Sequence, residues 1–441
     1  MPGRSFRLPA DLRLPLLAGL GALAVGWLIV SFVPAFFLWR RGDLIFYEEW
    51  GPEITSHLLP YRDFRLEYPP GALLPFALPV YLHKVFGYFK DYDFWFRVET
   101  LGFWAVMVGA VAWALHALRA PRRWTYVALV FAGGSLLEVG PIAVSRYDVF
   151  PAMFTALAVA ALVAGRSRWA CAAIAAGFVA KIYPVVLLPI ALIELHRARG
   201  RRGVVEGLGV SALVGLAGFG LFLAQAPHGL WWATKRQVTR PLQVESLGAS
   251  FFALAHQLGM RVHSVKSYGS DNLTTHGANI AATLSGVAVA VALVVVWVLF
   301  ARGRGSRSEI AVAFAASVTA YIAFSKVFSP QYLIWLVPLV PIVGGRRGIL
   351  ATALLASIIG MTQIWEPYHY YEYEKAFTAW ISALVIVRDW LVVLLFVLLV
   401  RGLWSDRDAQ QVDPLRAAGV RAHDHHALDT NSAVRGLEPN R

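Results

Sequence analysis

Four clusters of acids, cations and aromatic rings interrupt an otherwise apolar chain. The first, Arg40-Arg41-Gly42-Asp43-Leu44-Ile45-Phe46-Tyr47-Glu48-Glu49, follows directly on the first apolar run. An acid at such a boundary can be a simple interfacial anchor, or it can be a general base, because an ionised carboxylate accepts a hydroxyl proton. The segment that follows is long and dense in charged and aromatic residues, which a plain anchor does not need. Asp43 is therefore the candidate base and Tyr47 a candidate contact for a polar ligand, while Glu48, Glu49 and Glu53 read as solvated acids of a short helix. In the second cluster, residues 60–70, the paired prolines Pro69 and Pro70 stop any helix at Tyr68. A turn then presents Asp63, Glu67 and Tyr68 near Asp43, either as structural punctuation or as a sugar-binding edge of ring faces and hydroxyl acceptors.

The third set is three cations, each beside an aromatic residue and a helix break: Arg146 in Ser-Arg-Tyr-Asp148, Lys181 in Lys-Ile-Tyr183-Pro, and Lys326 in Ser-Lys-Val-Phe-Ser-Pro-Gln331-Tyr332. Singly, each can be a snorkelling anchor. As a trio at one expected depth they suit a phosphate group at a lipid boundary, since a cation at a helix centre costs about 2.5–3.5 kcal/mol on insertion. The fourth cluster follows residue 226. It holds Trp231, Trp232, Lys235, Arg236 and Gln237, an interfacial belt, and then Arg240-Pro-Leu-Gln243-Val-Glu245-Ser246, which has more polar function than a belt requires. A later run, residues 366–374, adds four tyrosines, a histidine and three acids, equally suited to carbohydrate or to an interfacial girdle.

The elements that must carry these clusters follow from composition. Of 441 residues 58% are hydrophobic and 15% charged, with a mean hydropathy of +0.56. A soluble domain has about 25% charged residues, so a water-soluble globule is excluded. Apolar runs near 20 residues recur from Leu14 to Val400, the length that spans a bilayer as a helix. The first, Leu14–Trp39, is too long for a signal peptide and lacks a small-residue cleavage site, so it is expected to be an uncleaved anchor.

The formal charge of +13 could suggest nucleic acid until its location is examined. Segments 1–13, 119–123, 166–168, 194–206, 302–309, 346–347 and the tail from Arg401 hold 23 of the 40 Lys and Arg but only 10 of the 27 acids. The remainder balances, so the excess marks cytoplasmic loops and nucleic acid is unnecessary. For these loops to share one side, the 168–196 run must cross twice as two short helices meeting at Lys181–Pro184, and 69–87 must stay on the outer face as an interfacial helix. The expectation is an all-α polytopic membrane protein of about twelve transmembrane helices with both termini inside. One membrane domain covers 1–404, with outer loops 40–94 and 227–276, and a polar disordered tail covers 405–441. His423, His425 and His426 in that tail read as solvated. Arg388-Asp389, inside the last apolar run, read as a self-neutralising pair with a possible functional role.

Other chemistries are excluded. Cys171 is the single cysteine, so there is no intramolecular disulfide and no Cys-based metal site. No phosphate-binding glycine loop occurs, so an activated substrate has to arrive in the membrane. No clear Asp-x-Asp stands in the first outer loop, which argues against an obligatory divalent metal, and no cofactor is expected.

Taken in order, Gly42-Asp43-Leu44 to Tyr47, Pro60-Tyr61-Arg62-Asp63-Phe64 with Tyr68-Pro69-Pro70, Arg146-Tyr147-Asp148, Lys181-Ile182-Tyr183-Pro184, Arg240 to Ser246 and Phe328-Ser329-Pro330-Gln331-Tyr332 resemble the GT-C superfamily of membrane glycosyltransferases. The closest resemblance is to glycosyltransferase family 87, the polyprenyl-phosphate-mannose-dependent mannosyltransferases, and it covers about residues 14–400. It implies a polyprenyl-phosphate sugar donor held between helices, a glycolipid or glycan acceptor, and membrane lipids as neighbours. It implies Asp43 as base, with Arg146, Lys181 and Lys326 holding the leaving phosphate in an inverting single displacement. Burial of the polyprenyl tail would then supply most donor affinity. Tyr47, Asp63, Glu67, Tyr68, Asp148, Tyr183, Arg240, Gln243, Glu245, Gln331 and Tyr332 are the expected sugar and acceptor contacts. The implied place is a bacterial plasma membrane with the site facing outward. Glu67 before Tyr-Pro-Pro, the modest first loop and the adjacent Glu48–Glu49 depart from the pattern and bear on acceptor choice. Mannose is thus the family's expectation only. Two alternatives are a twelve-span secondary transporter, which should show paired broken helices in two related halves, and a non-catalytic scaffold binding envelope polymers.

Overall fold

A computed structural model describes residues 9–39, 41–87 and 91–404. The expected disordered tail with His423, His425 and His426 lies outside the described residues, as does Arg40. The helices are α1 (Ala10–Phe32), α2 (Leu44–Ile54), α3 (Leu73–Phe86), α4 (Tyr92–Ala117), α5 (Arg122–Val139), α6 (Ile142–Ser145), α7 (Val149–Val163) and α8 (Ser167–Ala180). They continue as α9 (Leu188–Gln225), α10 (Pro227–Val238), α11 (Leu247–Gln257), α12 (Ala278–Arg302), α13 (Arg307–Phe324), α14 (Gly345–Trp365), α15 (Tyr370–Ala376) and α16 (Ala379–Trp404). Among the described residues, the named strands are those of a small antiparallel hairpin of β1 (Ser264–Ser267) and β2 (Ser270–Leu273). Its turn, Tyr268-Gly269, has positive φ at both residues, the twist that a two-residue hairpin loop requires.

The protein is a multi-pass membrane protein. Among the described residues, seven stretches are long and apolar enough to cross a bilayer: α1, α4, Tyr183–Gln225, α12, α13, α14 and α16. Tyr183–Gln225 folds back on itself at Gly200, where φ is +60° in the middle of α9. A Cβ on Gly203 would meet the Leu195 carbonyl oxygen at 2.3 Å, so the two arms lie close together. Twelve passes require α5, the shorter apolar helices α7 and α8, and residues 330–343 to cross as well. That last run is not an α-helix, in contrast to the expected helical span. It is a 3-10 turn (Pro330–Trp335), a set of turns and a second 3-10 turn (Pro341–Val343), with Leu333 to Ile342 all buried. Non-helical backbone at membrane depth is tolerated where protein surrounds it. The 3-10 rise of about 2 Å per residue also carries these two stretches further than an α-helix would.

Prolines and polar caps set the boundaries. Pro141, Pro184, Pro227, Pro330 and Pro341 each stand at or just before the first turn of an element, where the missing N–H costs nothing. Asp91 caps α4 through Phe94 N–H, Ser246 caps α11 through Ala249 N–H, and Ser306 with Glu309 forms a capping box on α13. The helix α8 ends at Ala180 and the chain restarts at Tyr183, so the break falls at Lys181–Pro184. The prolines at 69–79 leave only the 14-residue helix α3, which is not among the seven spanning stretches.

The arginine-rich turns gather at one end of the bundle. Asp11 meets His116 (3.7 Å), Arg307 donates to the Ala117 carbonyl (2.7 Å), Arg168 pairs with Glu206 (2.7 Å), and Arg197 donates to the Phe300 and Gly303 carbonyls at the end of α12 (2.6 and 2.9 Å). The acid- and aromatic-rich segments gather at the other end. Along α12, Ile280, Leu284, Val287, Val291, Val294 and Val298 are exposed at helical spacing, a face that belongs against lipid.

Helix α1 packs on α5 through glycines. A Cβ on Gly133 would sit 2.0 Å from the Gly19 carbonyl oxygen, whereas one on neighbouring Gly134 would reach only Ala22 at 3.9 Å. With no water to expel between helices in lipid, such close approach carries the association. Gly133→Leu is therefore expected to destabilise by about 1–3 kcal/mol. It should lower the thermal midpoint in detergent by several degrees, while Gly134→Leu leaves it unchanged.

Candidate functional site

The polar end is built around Arg146-Tyr147-Asp148, the bend between α6 and the start of α7. Arg146 Nη1 forms an ion pair with Asp43 Oδ1, at the entry to α2. Asp148 Oδ1 accepts from Lys181 Nζ at 2.6 Å and from Trp335 Nε1 at 2.9 Å. One tripeptide thus ties two charged pairs from three distant parts of the chain. Gly42 makes the first pair possible: its φ is +34°, and a Cβ there would meet Ser145 Oγ at 3.1 Å and Arg146 Nη1 at 3.2 Å.

Asp43 presents its two oxygens differently. Oδ1 is held by Arg146, whereas Oδ2 has, among the described residues, a long contact of 3.5 Å from the Tyr68 hydroxyl. Burial, with the Asp43 charge beside it, raises the Tyr68 phenol well above its usual range, so it remains a proton donor. Asp43 is about a quarter exposed, open enough for a hydroxyl to reach Oδ2.

Aromatic rings pack these charges together. Tyr47 stacks on Phe76 (4.2 Å between centroids) and meets Tyr68 and Tyr147 edge-on at 5.9 and 6.0 Å. Tyr68 and Tyr147 are 5.3 Å apart. On the other side of Tyr147, the Lys181 ammonium lies 4.8 Å from its ring, 5.4 Å from Trp335 and 5.6 Å from Tyr332, an arrangement that holds a cation by its attraction to the ring faces. Tyr183 and Tyr332 stack on Trp335 at 3.9 and 4.0 Å, and the Tyr183 hydroxyl bonds Thr155 Oγ1 at 2.9 Å. The loop at Pro69–Ala72 docks against the end of α8, where a Cβ on Gly71 would strike Ala180 N at 2.7 Å. Asp43, Tyr47, Tyr68, Arg146, Asp148, Lys181, Tyr183 and Tyr332 are therefore one continuous site.

The other expected residues lie around it. Asp63 faces its own turn: Arg62 hydrogen bonds it and Leu59 N–H donates to it at 2.7 Å, which holds its carboxyl down at about 2. Glu67 pairs with Arg236 of α10 at 2.6 Å, and Gln237 donates to the Glu67 carbonyl at 2.9 Å, so α10 fastens the 60–68 loop. Lys326 donates to the Val238 carbonyl at 2.7 Å and stands apart from Arg146 and Lys181. Burial, with Arg240 nearby, pulls its ammonium below the usual range. Arg240 donates to Ser270 of the hairpin at 2.9 Å. Gln331 is half-buried at the start of the 3-10 turn that carries Tyr332. Glu48 pairs with Arg41 at 3.2 Å on the exposed face of α2.

Gln243 and Glu245 belong to a separate buried network. Gln243 Nε2 bonds Glu245 Oε2 (2.5 Å) and Ser329 Oγ (3.1 Å), and Arg388 donates to the Glu245 carbonyl at 2.7 Å. Arg388 also pairs with Asp389 at 2.9 Å and covers the Phe328 ring at 4.0 Å, while Ser250 bonds Asp389. This fastens the 240–246 and 328–332 segments to α16. Sequence reasoning missed Trp335, which sits in an apolar run with no local sign of its role beyond its spacing of three from Tyr332. Among the described residues, no group of His, Cys, Asp and Glu is placed to hold a metal ion.

Asp148 is 1% exposed and Lys181 17%, so removing one partner strands a charge. Breaking such a pair costs about 3–5 kcal/mol. Asp148→Asn should sharply lower the thermal midpoint in detergent, and adding Lys181→Met to it should restore much of the loss. Equal damage in the single and double variants would show that the pair is not coupled.

Comparison with known proteins bears on part of this cluster, with Asp43, Tyr47, Tyr332 and Trp335 outside the matched residues. The family model described as glycosyltransferase family 87 matches residues 66–330, from the Leu66–Tyr68 turn through Arg146, Asp148 and Lys181 to the start of the Pro330 turn. No curated protein matches the chain.

Proposed function

The chain belongs to glycosyltransferase family 87, and from that premise we propose that it moves a sugar, mannose, from a polyprenyl-phosphate donor to a hydroxyl of a lipid or glycan acceptor on the outer face of the plasma membrane. The single observation that carries this reading is the pairing of Asp43 with Arg146 beside the Lys181–Asp148 pair. A base and two cations stand together at one end of a membrane bundle, which is what a displacement at a lipid-linked phosphate needs.

In this mechanism Asp43 Oδ2 takes the proton of the acceptor hydroxyl as that oxygen forms its bond to the anomeric carbon. The bond between that carbon and the phosphate oxygen breaks, and the polyprenyl phosphate leaves with the electron pair. Its new negative charge is met by Arg146 and Lys181, fixed beforehand by their carboxylate partners, so little reorganisation is needed at the moment of transfer. The configuration at the anomeric carbon inverts. Tyr68 and Tyr332, the partly exposed rings of the cluster, offer faces to the sugar, and the exposed apolar flanks of the bundle offer the polyprenyl chain a lipid-like path. The arginine-rich end lies in the cytoplasm, as the excess of basic residues in its short turns supports. Nothing in the fold or the comparisons favours the secondary transporter.

The test is transfer from radiolabelled polyprenyl-phosphate mannose to a crude envelope-lipid extract, using purified protein in liposomes. Wild type should transfer label, and folded Asp43→Asn should lose about 10²–10⁴-fold in rate. Equal transfer by both would remove Asp43 as the base; activity only with another lipid-phosphate sugar would replace mannose.

A further inference from the structure

The end of α14 carries a carboxyl that the mechanism above does not use. Glu366 closes that helix, its backbone N–H donating to the Thr362 carbonyl at 2.9 Å. One turn earlier, Gln363 presses on the bend that leads to Arg146: a Cβ on Gly140 would meet Gln363 Oε1 at 3.0 Å. Glu366 thereby comes within electrostatic reach of both Arg146 and Asp43. From the other elements packed around it, Arg388 of α16, Glu245 of the 240–246 segment and Tyr368 face it too. Its Oε2 is closed to solvent and has no hydrogen-bond partner among the described residues.

A carboxylate oxygen closed to solvent and without a donor stabilises the ionised form poorly, and burial pushes the Glu366 carboxyl up to about 7 against the opposing pull of Arg146 and Arg388. Arg146 is then one cation between two carboxyls of different character. Asp43 holds it directly, while burial disfavours the charge on Glu366. A phosphate diester arriving at Arg146 brings a third negative charge to that guanidinium.

We propose that Glu366 is the proton-taking carboxyl of the donor site: lying within electrostatic reach of the Arg146 that Asp43 holds, it takes a proton from solvent when a phosphate diester settles on that guanidinium, and returns it when the phosphate leaves. This rests on the donor reading above. Because the bound diester favours the neutral carboxyl, affinity is highest below pH 7 and falls as Glu366 ionises. Repulsion between two like charges at a partly buried site is worth about a tenfold change in binding.

The experiment titrates full-length protein in detergent with citronellyl methyl phosphate, a diester whose single charge is constant over the range, from pH 5.5 to 8.5. Calorimetry in two buffers of different ionisation enthalpy reads proton uptake directly. Wild type should bind about tenfold more tightly at pH 6 than at pH 8.5 and take up a fraction of a proton near pH 7. Glu366→Gln should bind with the acid-side affinity throughout and take up none, and Glu366→Asp should keep the uptake. Binding by wild type without proton uptake, or uptake unchanged in Glu366→Gln, overturns the role of Glu366 and leaves the donor reading standing. No saturable binding by wild type at any pH overturns the donor reading and this inference with it.

Discussion

Two ion pairs leaving one tripeptide in opposite directions hold the polar end of this protein together. Arg146 and Asp148 flank Tyr147, and each reaches a partner from a different part of the chain, Asp43 before α2 and Lys181 after α8. Charges at the edge of a membrane are expensive to desolvate, and attraction offsets that cost only when geometry is good and the remaining valences are filled. Trp335 supplies the second donor to Asp148, and three rings surround the Lys181 ammonium. The start of α2, the bend before α7 and the break after α8 are all positioned by these contacts.

Broken helices make such contacts possible. A continuous α-helix would carry Lys181 and Tyr332 along its own axis with its backbone groups already used. The breaks at Lys181–Pro184 and Pro330–Trp335 instead turn side chains inward and let Tyr183, Tyr332 and Trp335 stack face to face. Surrounding protein tolerates the irregular backbone because it excludes lipid from it. Tight glycine contacts elsewhere, as between α1 and α5, supply the packing that hydrophobic expulsion of water supplies in a soluble protein.

The clusters visible in the sequence have different fates. Arg146, Lys181 and Lys326 look equivalent along the chain, each beside an aromatic residue and a break. The fold places two of them together and turns the third to a backbone carbonyl next to α10. Asp63 and Glu67 flank Tyr68 by only a few residues, yet Tyr68 faces Asp43 while the acids staple their own loop and α10. Arg388 and Asp389 do pair with each other, but the tie from Arg388 to the Glu245 carbonyl is invisible without the fold. Glu366, one acid among three in a tyrosine-rich run, comes within electrostatic reach of Arg146 because α14 ends against the 140–146 bend.

By itself the sequence determined that this is a helical, multi-pass membrane protein, where its basic turns lie, where its helices break and which short polar segments interrupt its apolar runs. Those properties are local: apolar run length, proline, and charge counted loop by loop. Only the tertiary structure decided which charge meets which. Partners such as Asp43 and Arg146, or Asp148 and Trp335, are more than a hundred residues apart, and the choice among several chemically equivalent cations is made by helix packing and close glycine contacts that leave no periodic trace in the chain.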